Sequence, residues 1–230
     1  MAHNLQYNLK DGIEELYRAF ADVPKPHFVD GCSCCIGRKE ISVLLSKPVR
    51  KISAGELASY AASVFLTVGN ETDFQYFLPR IFELSVTEKG WYPCPEVVLG
   101  KLKFVQWQEW SKLKTTAIES FLELAFVNFV LQPEKNPDSL FFGDEPDTWL
   151  CAIAISGAKI ETLLKRIQTN GKALVTLYEL NSETLIKGKL FNGFWHDLPD
   201  SQRIILKWFQ SEEIMQLINQ QYLNQYDDQN

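Results

Sequence analysis

Apolar residues recur at helical spacing through most of this chain. Leu9, Ile13, Leu16, Tyr17 and Phe20 make one stripe, which predicts a helix over 8–22 that stops before Pro24 and Pro26. Past a Gly- and Cys-rich loop, Ser53 and Glu56 stand in capping-box register. Leu57, Tyr60, Ala61, Val64 and Phe65 follow on one face, so this second helix is expected to run to Gly69-Asn70. Asp73 introduces a third stripe, Phe74, Phe77, Leu78, Ile81 and Phe82, whose period survives Pro79 although the ring removes a backbone donor. Over 107–131, Trp110, Leu113, Ala117, Phe121 and Leu124 are joined by Ile118, Leu122, Ala125 and Phe129, which predicts one central helix apolar around most of its circumference.

Residues 132–148 break the pattern with three prolines and the acids Glu134, Asp138, Asp144, Glu145 and Asp147, and read as a long surface loop. This divides the chain into an N-terminal helical region, 1–132, and a C-terminal one, 149–230, expected to pack as one globular unit. Shorter helices are predicted at 147–156, 158–168, 172–180, 200–209 and 211–224, although 173–178 also suits a strand. The fold class is therefore all-α, as an irregular helical bundle or a HEAT-like stack of antiparallel helix pairs. No repeat of fixed period singles out the solenoid.

Composition narrows the class of partner. A hydrophobic share of 46% over 230 residues supports a globular core, and a net charge of −6 disfavours phosphate backbones. Met1 to Asp11 holds no apolar run of the kind a secretory signal needs, and Glu119, Glu123 and Asn128 interrupt the longest apolar stretches. Neither export nor membrane insertion is expected. Five cysteines in such a chain read as reduced thiols, which points to the cytoplasm.

His27, Cys32, Cys34 and Cys35 are the densest cluster of metal-ligand types. Three thiolates and one imidazole would complete a tetrahedral zinc site. Against this, Cys34 and Cys35 are adjacent, and on an extended backbone their side chains diverge, so metal-free reduced thiols are expected and zinc is the alternative. Nothing upstream of the cysteines reads as the strand that precedes a thioredoxin-type Cys-x-x-Cys, so redox catalysis is not expected. His196-Asp197 lacks the further ligands of a metal-dependent phosphohydrolase, and the hydrolase elbow, phosphate loop and zinc-protease motif are missing, so an enzyme is not favoured. Arg80 reads as a structural partner of Asp73 or Glu83, and Asn70-Glu71-Thr72 as a chance glycosylation match.

Loop aromatics at Trp91-Tyr92 and at Phe191 to Trp195 have the character of interface anchors. Through the GCSCC run at 31–35, the Arg50 to Ser53 helix entry and DFQYFLPRIFEL at 73–84, the first hundred residues resemble an uncharacterised family of bacterial proteins. That resemblance implies a bacterial origin and a reusable scaffold, and it brings no activity, cofactor or catalytic residue. The expected function is a non-enzymatic protein-binding module, in the manner of an immunity or adaptor protein, that meets a basic protein partner through Asp144, Glu145, Asp147 and Trp195. The alternative is a metal-binding or thiol-based protein using Cys32, Cys34 and Cys35.

Overall fold

Capping chemistry sets where the helices begin. In the computed structural model, which describes residues 8–32, 34–132 and 146–227 with side chains as far as Asn224, Asn8 accepts the backbone N–H of Asp11 at 3.0 Å and opens α1, Leu9–Ala19. Ser53 and Glu56 form the expected capping box ahead of α3, Ala54–Ser63. The Asn70 side chain accepts from Thr72 and Asp73 to start α4, Glu71–Thr87, so the residue in the glycosylation pattern is a helix cap. Between these lies α2, Arg38–Ser46, which the sequence left inside a loop because Leu44 is its one buried residue and no stripe marks it.

The chain divides into two compact units between Ala125 and Phe126. The first holds α1 to α4, then α5, Pro95–Leu99, and α6, Lys112–Ala125. Within it α1 packs on α6 and α4, and α3 on α2, α4 and α5. Leu16, Tyr60, Phe74, Phe77 and Phe82 are buried, with Phe82 stacked on Phe121 at 4.9 Å. Each such side chain contributes roughly 1.5–3 kcal/mol by leaving water. α4 runs unbroken through Pro79. Arg80 pairs with Glu83 at 2.6 Å and also donates to the Ile52 carbonyl at 2.8 Å, which makes it a structural tie.

The second unit opens with a π-helical turn, Phe126–Leu131, and continues with α7, Pro146–Ile155, and α8, Ile160–Gln168. α9, Gly171–Leu185, α10, Pro199–Phe209, and α11, Glu212–Asp227, complete it. The stretch that also suited a strand, 173–178, is helical. α7 packs on the π turn and on α9, and its Trp149 stacks on Phe129 at 4.4 Å. Every residue of α7 is buried, so α7 is the helix enclosed around its whole circumference. α6 keeps a solvent face, where Leu113 is 65% exposed.

The fold is all-α, and among the described residues the pairing of extended backbone is confined to isolated bridges. No described helix is long and apolar enough to cross a membrane.

Candidate functional site

The cysteine loop is held by backbone on both flanks. Upstream, Gly31 bridges Val68, Cys32 donates its N–H to the Thr67 carbonyl at 2.9 Å, and Gly69 donates to the Asp30 carbonyl at 2.7 Å. Gly31 suits this close approach because a Cβ there would sit 3.1 Å from Val68. Downstream, the Glu40 carboxylate accepts the Gly37 N–H at 2.7 Å and the Ser59 hydroxyl at 2.9 Å, which fixes the entry to α2. Gly37 and then Ser59 hold this carboxyl below its ordinary range.

The segment facing the cysteines explains why α3 ends early. The sequence carried this helix to Gly69-Asn70, but Phe65 adopts φ 66° and turns the chain away from helical geometry. Such a conformation in a large aromatic costs on the order of 1–3 kcal/mol and persists only where its surroundings enforce it. Here the Phe65 N–H donates to the Val68 carbonyl at 3.0 Å, and its ring lies against Phe74 at 5.0 Å and Phe104 at 6.0 Å.

Between these supports the chain from Cys32 turns back on itself. Cys35 and Ile36 both donate backbone N–H to the Cys32 carbonyl, at 2.9 and 3.2 Å. This turn overrides the expected divergence of adjacent side chains: the Cys34 and Cys35 sulfurs are 3.7 Å apart, and all three sulfurs lie within 4.8 Å of one another. Tetrahedral zinc with bonds of about 2.3 Å needs sulfur separations of about 3.8 Å, so the three thiols stand close to metal-binding geometry. His27 is exposed and is not in the group, so the fourth ligand expected from sequence is not supplied.

The thiols differ in character. Donation from the Cys34 thiol and N–H, and then from Cys35, holds Cys32 below the usual thiol range, whereas Cys34, beside Cys32 and Cys35, is pushed up to about 11. Cys32 and Cys34 are exposed, Cys35 is half-buried, and Cys151 is buried elsewhere. A cavity of about 310 Å³ opens beside Cys32, lined also by Asp30, Gly31 and residues 65–69.

The residues expected to meet a partner are placed differently. Asp144 and Glu145 lie outside the described residues, as do Glu134 and Asp138. Asp147 was expected to be solvated and Trp195 to be a loop anchor, but both are buried, at 2% and 0% exposure. Asp147 lies in the first turn of α7, the helix predicted from 147, and this brings the carboxylate to the Trp195 indole. His196 and Asp197 are exposed. Sequence patterning gave no sign of Lys101, which is buried and donates to the Ala62 carbonyl at 2.6 Å; burial, and then Lys103, lower its amine to about 8. It serves as a cap for the carbonyl end of α3.

No known protein family, curated protein or solved structure matches the chain. The site therefore rests on its own geometry.

Proposed function

We propose that the protein binds a thiophilic divalent ion, best represented by zinc, through Cys32, Cys34 and Cys35, and that the site keeps its fourth coordination position open. The convergence of three sulfurs within 4.8 Å on a loop strapped at both ends carries this reading. Thiolates favour soft and borderline ions over calcium or magnesium, which take oxygen. Closed structural zinc sites have four protein ligands, whereas sites that exchange a ligand or substrate have three. Among the described residues the group holds three sulfurs and His27 lies outside it, which is the ligand count of the second class.

Binding by an acidic surface is the weaker reading. Of the four side chains it invoked, two are buried and two lie outside the described residues.

The test is zinc content and affinity of the full chain, reduced with a phosphine so that no competing thiol is present. One zinc per chain with sub-micromolar affinity is expected. It should be lost in Cys32→Ser and Cys34→Ser and retained in His27→Ala. A reduced, folded protein that takes up no zinc overturns the reading.

A further inference from the structure

Resting on that zinc reading, we propose that the open position takes the sulfur of a small, positively charged thiol, an aminothiol, seated in the cavity beside Cys32. Three observations converge on it. The cavity and the sulfur cluster share a residue, since Cys32 belongs to both while Cys34 and Cys35 do not line the cavity. A ligand in this space therefore lies against one of the three cysteines of the cluster. The volume, about 310 Å³, lies at the small end of the range that small-molecule sites span, roughly 300–1,000 Å³, and so admits a small molecule.

The lining then selects by charge. Asp30 is the one lining residue with a charged side chain, and the rest of the wall is Gly31, Phe65, Leu66, Thr67, Val68 and Gly69. One Asp30 carboxylate oxygen accepts the Gly31 N–H at 2.9 Å, and among the described residues no cation pairs with the group. A ligand ammonium complements that charge, whereas a ligand carboxylate meets it with the same sign.

The wall is also held in place. The Cys32 to Thr67 and Gly69 to Asp30 hydrogen bonds fix it, and Phe65 at φ 66° belongs to it. Strained backbone of this kind concentrates at ligand sites. The thiol binds as its thiolate and its proton passes to solvent, because a coordinated thiol is deprotonated. Association thus releases one proton per ligand and needs no oxidant or reductant.

The experiment titrates zinc-loaded full-length protein, prepared without thiol reductants, with cysteamine, 2-mercaptoethanol and 3-mercaptopropionate, three short thiols that differ in charge. Adducts are counted by native mass spectrometry per zinc bound. The same series is run on Asp30→Asn and Asp30→Glu, so that differences in thiol acidity cancel between proteins. The preference for cysteamine over 3-mercaptopropionate should fall roughly tenfold in Asp30→Asn and persist in Asp30→Glu. A wild-type protein that holds zinc but forms no thiol adduct overturns this inference and leaves the zinc reading standing. So does a preference that Asp30→Asn leaves unchanged. Protein that holds no zinc overturns both.

Discussion

The indole N–H of Trp195 donates to both carboxylate oxygens of Asp147, at 3.3 and 3.2 Å, with both side chains buried in the second unit. Asn181 extends the arrangement, with its amide donating to Asp147 at 3.4 Å and its carbonyl oxygen accepting the Phe191 N–H at 2.8 Å. The 190s loop is thereby fixed to the first turn of α7. Trp195→Phe keeps most of the ring volume but removes the donor, leaving a buried carboxylate less compensated. The loss expected is about 1.5–3 kcal/mol, the range for hydrogen bonds to charged groups. Urea unfolding of wild type and variant measures it, and a loss below about 0.5 kcal/mol would show that this contact does not anchor the loop.

The same residues show what was legible in the sequence. Helices with an apolar stripe and a capping residue, such as α1, α3 and α4, were predicted near their observed starts because stripe and cap are local properties. Asp147 was read both as the start of the 147–156 helix and as a solvated acid of 132–148: the helix start has a local signal, Pro146 followed by an acid, whereas burial under Trp195 depends on a residue 48 positions away. The helix predicted over 107–131 is observed as a 3₁₀ turn at Trp107–Glu109, α6 and a π turn, a change of hydrogen-bond register that apolar spacing does not encode. The thiol types were visible at the site, but their convergence was not. It depends on the turn closed onto the Cys32 carbonyl and on Phe65 adopting positive φ, a conformation that side-chain preference argues against.

Glu56 should make the first unit sensitive to acid. The Lys47 ammonium, and then the Ser53 backbone N–H and hydroxyl, lower its carboxyl from 4.5 to about 2. A folded-state value below the unfolded one means that the contribution is complete above about pH 4.5 and is lost as pH falls toward 2. Glu56→Gln removes this titration. The stability difference between wild type and variant should stay constant at neutral pH and shrink through that acid window. A difference that does not change with pH would show that Glu56 is not held in its capping contacts in solution.

The junction of Gly69 with the cysteine loop gives a prediction that links backbone geometry to the site. Gly69 has φ +63°, and a Cβ on it would meet the Tyr60 ring and hydroxyl at 3.1 Å. Gly69→Ala therefore combines a disfavoured conformation with crowding against a buried aromatic, and is expected to cost about 1–3 kcal/mol. Gly55 in α3 is the control: a Cβ there meets nothing within 4 Å, and its φ is not positive. Gly55→Ala should be neutral or stabilise by up to about 1 kcal/mol, since alanine is the better helix former. The Gly69 N–H also donates to the Asp30 carbonyl at 2.7 Å, so a shift of Gly69 loosens the strap beneath Cys32. Zinc affinity, measured under conditions where both variants remain folded, should fall in Gly69→Ala and stay at the wild-type value in Gly55→Ala. Equal zinc affinity in the two variants, with the expected stability loss present in Gly69→Ala, would show that the strap supports the fold without positioning the thiols.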